Sequence, residues 1–160
     1  ICVPHILDPG ADLLARSGTE RLVSPAVADM PELLRLIDRI ASASFVLAGS
    51  LHAAILACAY GRPFGFWDSG HIDVPFKWRD FAASVGIEAR FAKTLSDART
   101  IYSLEIAPNL KRPRLSPLLA CAPLKVRPSI RLRGWLFDLL PRNRKAFFVK
   151  SGLTQSSALS

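Results

Sequence analysis

The run FVLAGSLHAAILACAYGRPFGFW, residues 45–67, constrains the fold more than any other part of the chain. Residues 44–49 read as a short buried strand, residues 50–60 as a helix with Gly61 as its C-cap, and residues 63–67 as a second strand. Just ahead, Asp29 as N-cap, Pro31 in the first turn and Glu32 three residues on open another helix. Its spacing places Leu33, Leu34, Ile37, Ile40 and Ala41 on one face and Arg35, Asp38 and Arg39 on the other. Helix, strand, helix and strand joined by tight turns imply parallel strands, because each helix then serves as a crossover. The fold class is therefore α/β, a Rossmann-like parallel sheet with flanking helices.

The flanking sequence extends this pattern less regularly. ICVPHIL reads as a short strand, DPGAD as a turn and ERLVSPAV as a further short strand. After Trp67, DSGHIDVPF has loop composition, KWRDFAASVG reads as a helix ending at Gly86, and RTIYSLEIA suits either a strand or a helix. From Pro108 onward, prolines at 113, 117, 123, 128 and 141 interrupt any long element. The sequence thus divides into a Rossmann-like domain over 1–107, a basic amphipathic tail over 108–150, and a small, polar terminus over 151–160 that is expected to be disordered.

A chain of 160 residues, 50% hydrophobic and 21% charged, can bury a sizeable core as one domain. No apolar run approaches the roughly 18 residues of a spanning helix. ICVPHI has neither a basic n-region nor a long apolar h-region, which argues against a signal peptide. It reads instead as a strand entered from upstream, so the chain is expected to be the C-terminal part of a longer protein. Cys2, Cys58 and Cys121 show no pairing pattern, so reduced thiols and a cytoplasmic setting are expected. The net charge of +8 is segregated. Residues 1–110 carry 10 Lys/Arg against 12 Asp/Glu, whereas residues 111–150 carry 11 basic residues and one acid, Asp138. Long-range attraction for anions therefore resides in the tail.

The chemistry centres on GSLH. A buried strand that ends in Gly49 and feeds a helix at Ser50 leaves helical N–H groups at the carboxyl edge of a parallel sheet, where open α/β sheets bind ligands. Those donors and the positive end of the helix dipole favour a phosphate or carboxylate; Gly49 permits close approach and Ser50 can cap the helix or touch the anion. His52, in the first turn, could donate to an anionic oxygen or move a proton at neutral pH. The same pattern also fits a plain serine cap followed by a surface histidine. No cluster has metal-ligand spacing, and no phosphate-binding G-x-x-x-x-G-K-[ST] loop occurs.

VPHILD, SLHAAILACAYGRPFGFWDSG and FKWRDFAASVGI, in that order over residues 1–90, resemble the C-terminal half of the polysaccharide pyruvyl transferase family. That family carries a strand, an (R/S)-L-H-(G/A) motif opening a helix, A-x-G-x-P and often K-W-x-D. The resemblance implies the C-terminal half of a GT-B-like fold. It also implies transfer of a pyruvyl group from phosphoenolpyruvate to two sugar hydroxyls, forming a ketal in bacterial exopolysaccharide or cell-surface polysaccharide synthesis. Phosphoenolpyruvate is then the donor substrate, a saccharide that can be lipid-linked is the acceptor, and no cofactor is implied. His52 matches the motif histidine, as general acid or phosphate ligand, with Ser50 and Leu51 beside it. Several members have arginine where this chain has Ser50, so the positive charge must come from elsewhere, with Lys77, Arg62 and Arg79 as candidates. Arg62 could equally satisfy helix carbonyls, and Lys77 and Arg79 could form a solvated face. His5 falls in a matched segment as a site or supporting residue, and Asp8 could orient it or cap a turn. His71 suits a sugar contact or an exposed loop, and Trp67 and Trp78 suit sugar stacking or core packing.

In the tail, Arg127, Arg131, Arg133, Arg142, Arg144, Lys145 and Lys150 surround Trp135, Leu136, Phe137, Leu139, Leu140, Phe147 and Phe148. This composition suits peripheral contact with the inner face of a membrane, or docking on a partner domain. Nucleic acid is not an expected partner, because residues 1–110 are nearly neutral and no recognition motif occurs. A GT-B-like sugar-nucleotide glycosyltransferase and a non-catalytic basic membrane-surface module are the competing readings.

Overall fold

The computed structural model describes residues 1–8, 12–111 and 113–139; the expected disordered terminus and the basic residues from Arg142 to Lys150 lie outside them. Four short strands, β1 (Cys2–Val3), β2 (Val46–Ala48), β3 (Phe64–Trp67) and β4 (Phe91–Ala92), form one parallel sheet in the order β1-β2-β3-β4. Helices α1 (Leu13–Ser17) and α2 (Met30–Ser42) lie between β1 and β2, α3 (Leu51–Ala59) between β2 and β3, and α4 (Pro75–Ser84) between β3 and β4. The expected α/β class with a parallel, helix-flanked, Rossmann-like sheet is what the chain adopts.

Strand side chains alternate between two buried layers, as the period of two requires. Val3, Val46, Ala48, Phe64 and Phe66 enter one layer with Ile40 of α2, Ala53, Ala54 and Ala57 of α3, and Trp78 and Ala82 of α4. Cys2, Leu47, Trp67 and Ala92 face the other layer with Leu13 of α1 and Ala98 of α5 (Leu95–Ile101). Trp67 and Trp78 are both core residues: Trp67 donates to the Lys93 carbonyl at 3.0 Å, and Trp78 to the Asp73 carbonyl at 3.1 Å. Gly65 is the small residue that lets α5 lie directly on β3, since a Cβ there would sit 2.8 Å from the Ala98 Cβ.

Local signals explain most boundaries. Asp29 Oδ1 accepts the Glu32 amide at 2.7 Å, while Glu32 Oε2 accepts the Ala28 amide at 2.8 Å, a reciprocal cap on α2. The inward face of that helix is Leu33, Leu36, Ile37 and Ile40; Leu34, expected inside, is 55% exposed. Leu33 and Leu34 are about 100° apart, and the sheet selects the first. Gly61 (φ 64°) and Gly86 (φ 75°) end α3 and α4, with Arg62 and Ile87 donating back to the Ala57 and Ala82 carbonyls at 2.8 and 2.9 Å. The RTIYSLEIA segment is helical. α5 runs into a π-turn over Tyr102–Ile106 and then α6 (Ala107–Asn109), the widening falling just before Pro108, which lacks the N–H for a regular turn.

The outer edge of β1 is occupied by residues 21–23, which run parallel to it. Cys2 N donates to Arg21 O, and Val23 N to Cys2 O, both at 2.8 Å. Of the short strand expected over ERLVSPAV, a single bridge at Leu22 is what forms. From β1 the chain moves outward through α1 on one face, then returns through α2 on the other face to β2. The direction of winding therefore reverses at β1, a topological switch point between β1 and β2.

After residue 113, α7 (Leu115–Ala120) and α8 (Pro128–Leu139) form a helical hairpin. Buried Gly134 admits Leu119, whose side chain would collide with an added Cβ. The Asp138 carboxylate accepts the Leu115 and Ser116 amides at 2.8 and 2.9 Å and the Ser116 hydroxyl at 2.5 Å. It thereby caps α7 from the neighbouring helix, and these bonds, led by the hydroxyl, hold its pKa below the ordinary aspartate value. Among the described residues, no helix is long and apolar enough to cross a membrane.

Candidate functional site

A cleft of about 540 Å³ opens at the carboxyl ends of β1 and β2, over the switch point. It is lined by Val3, His5 and Ile6 after β1, by Ser50, Leu51, His52 and Ala53 at the start of α3, and by Asp73, Lys77 and Trp78 around the start of α4. Its apolar wall comes from Pro25, Val27 and the Leu33, Leu36, Ile37 and Ile40 face of α2, with Ile55 and Leu56 of α3. Of the residues singled out by sequence, His5, Ser50, Leu51, His52 and Lys77 thus share one cavity.

The floor is built by close chain crossing. Gly49 N and Ser50 N both donate to the Val3 carbonyl, at 2.8 and 3.1 Å, so neither amide is open to a ligand. A Cβ on Gly49 would meet His5 N and Pro4 Cα at 3.1 Å and Asp8 Oδ2 at 3.3 Å. The close approach expected of Gly49 is therefore to the chain itself. The next two amides, of Leu51 and His52, have no protein acceptor among the described residues, and the Ser50 hydroxyl makes no cap bond. These donors, at the positive end of α3, are the ones open to an anion. The exposed His52 ring makes no hydrogen bond among the described residues.

Asp8 organises the rim. Its Oδ2 accepts the His5 amide at 2.7 Å and its Oδ1 the buried Ser69 hydroxyl at 2.5 Å, which ties the loop after β1 to the loop after β3. Arg16 reaches the Ser69 carbonyl from α1. His5 Nδ1 accepts the Leu7 amide at 3.2 Å, which assigns the neutral ring proton to Nε2. The His71 ring lies 5.1 Å from that of His5, centroid to centroid, so the exposed loop histidine belongs to the same rim. Lys77 pairs with Asp73 at 3.3 Å, with both side chains substantially exposed. The loop between Trp67 and α4 is pinned by Asp68, which accepts the Gly70 amide at 2.9 Å and binds Lys93. Lys93 in first place, then the Gly70 amide, hold the Asp68 carboxyl below its usual range.

Arg62 does not join this cleft. It follows α3 and precedes β3, at the amino edge of the sheet, separated from His52 by the length of a nine-residue helix, roughly 14 Å. Arg79 is exposed on α4 and does not line the cavity. The sequence reading missed Asp73, Ser69 and the whole apolar wall. An Asp four residues before Lys77 was the one visible signal; the wall depends on how α2 crosses the sheet. Among the described residues, no group of three His, Cys, Asp or Glu side chains could hold a metal ion.

Fold and cleft together define an α/β protein of Rossmann-like type with a candidate anion site at its switch point. Profiles of known protein families, curated proteins and solved structures give no match to this chain.

Proposed function

We propose that this chain carries the phosphoenolpyruvate-binding half of a pyruvyl transferase acting on saccharides of the bacterial surface, in a GT-B-like arrangement. The observation that carries the reading is the convergence of His5, Ser50, Leu51, His52 and Lys77 on one cleft at the switch point. Those residues belong to three separate stretches of sequence, VPHILD, SLHAA and FKWRD.

In that reading the Leu51 and His52 amides receive the phosphate or carboxylate of the donor, and Lys77 supplies the cation that Ser50 does not. The His52 imidazole delivers a proton to C3 of the enol, C2 becomes electrophilic, and one sugar hydroxyl bonds to C2. The C2–O bond to phosphate breaks, phosphate leaves with that oxygen, and the second hydroxyl completes the ketal. Of the two hydroxyl protons released, one replaces the proton that His52 gave to C3 and the other leaves with phosphate. The apolar wall shields the enol carbon from water.

The test is phosphate release from phosphoenolpyruvate with a galactose- or glucose-containing acceptor, using the full-length protein. Acceptor-dependent release that falls at least about 100-fold in His52→Ala supports the reading. Turnover unchanged in that variant removes His52 from the chemistry. Binding of a nucleotide sugar without phosphoenolpyruvate turnover would instead assign a glycosyltransferase. Neither activity would leave a non-catalytic module.

A further inference from the structure

α8 presents two unlike faces. Gly134 and Asp138 turn toward α7, while Leu132, Trp135, Leu136 and Leu139 follow the i, i+3, i+4, i+7 spacing of a single stripe. These four side chains are 57%, 53%, 49% and 59% exposed. At 100° per residue they span about 100° of the helix surface, and exposed Arg133 and Arg131 fall just beyond the two borders. Exposed Lys125 and Arg127 precede the helix. The one acid among the described residues of the hairpin, Asp138, falls beside Arg131, and its carboxylate is taken up by the N-terminus of α7. The stripe is thus edged by cations and by no free carboxylate among the described residues of the hairpin.

We propose that this face of α8 docks the chain on an anionic membrane surface, with Leu132, Trp135, Leu136 and Leu139 entering the headgroup boundary and Arg131 and Arg133 meeting lipid phosphates. Charge complementarity selects that occupant. A second copy would bring one arginine border against another, and a nucleic acid would find four apolar side chains where phosphates need cations. A bilayer with anionic headgroups offers both an apolar layer and the opposite charge at matching depth, and Trp135 suits the interface between them. The hairpin geometry alone carries this inference, whatever chemistry the cleft performs.

The full chain is tested by co-sedimentation with vesicles of phosphatidylglycerol in phosphatidylcholine and with vesicles of phosphatidylcholine alone. Trp67 and Trp78 are buried, so Trp135 is the exposed one of the three tryptophans and the one whose emission lipid should change. The expected result is binding to the anionic vesicles only, weakened by salt, with a blue shift and protection of Trp135 from an aqueous quencher. Trp135→Ser with Leu136→Ser, and separately Leu132→Gln with Leu139→Gln, should each weaken binding about tenfold or more at an unchanged circular dichroism spectrum. Arg131→Gln with Arg133→Gln should reduce the preference for anionic lipid. The proposal is overturned by equal binding to both vesicle types, by no binding, or by full binding of both apolar double variants. It is overturned equally by a soluble polyanion bound as tightly as the vesicles, or by a dimer that buries Trp135 without lipid.

Discussion

Replacing Gly65 by alanine tests the contact on which one face of the sheet depends. The new methyl would lie 2.8 Å from the Ala98 Cβ and 3.3 Å from its Cα, whereas ordinary contact begins at 3.4 Å. α5 must therefore lift by at least about 0.6 Å. Ala98 is fully buried, and its layer holds Leu47, Trp67 and Ala92, so the helix cannot rise without loosening those contacts. Overpacking of this size costs about 1–3 kcal/mol. Alanine recovers about 0.5–1 kcal/mol of that by restricting the unfolded chain and suiting a strand better than glycine. The net expectation is about 1–2 kcal/mol of destabilisation, or a melting temperature roughly 3–8 °C lower. Urea denaturation followed by circular dichroism measures it. Ala98→Gly costs about 1 kcal/mol on its own inside α5, but the double variant should lose about 1 kcal/mol less than the sum of the two single changes. A Gly65→Ala midpoint at or above the parent value, or purely additive effects of the two changes, would refute the close-contact argument.

Asp29→Ala removes the acceptor of the Glu32 amide and should cost about 1 kcal/mol by denaturant melting, with helix content lost first from α2. Val74 precedes Pro75 with φ at 40°, which a β-branched residue adopts under strain, and its side chain is largely exposed. Val74→Gly should therefore stabilise the fold by up to about 1 kcal/mol, and a lower urea midpoint would contradict that. Burial pushes the Cys2 thiol up to about 12 and the Cys58 thiol up to about 11, so iodoacetamide at mildly alkaline pH should label exposed Cys121 well before either; mass spectrometry reads the order. In the unfolded chain these thiols ionise near pH 8.5 while the native ones stay protonated. The native state then binds more protons, and stability should fall as pH rises from about 9 toward 11–12; a flat urea midpoint across that window would count against it.

The residues that the sequence placed well are those whose environment is set within a few positions. Asp29, Glu32, Gly61 and Gly86 act on their own helix ends, and the apolar runs of β2 and β3 are long enough to register as buried strands. β4 escaped notice because Phe91 and Ala92 stand alone between Arg90 and Lys93, too short for a period to show. Leu34 stands outside because the amphipathic stripe of α2 is wider than the contact the sheet makes. The cleft was half legible for a similar reason. His5, Ser50, Leu51 and His52 follow directly from strand ends, whereas the wall of Val27, Leu33 and Ile37 exists only once α2 has crossed over. Arg62 was proposed for its charge, and the length of α3 removes it from the cavity.

That the Val3 carbonyl takes two successive amides has a consequence for selectivity. On the proposed reading of the cleft, an incoming oxyanion would find a pair of backbone donors at the mouth of α3, where a glycine-rich cradle would surround it with several. In that reading most of its hold would come from replaceable side chains, chiefly Lys77 and His52. Preference among anions can then change by surface substitution, while the stitched floor beneath is left intact.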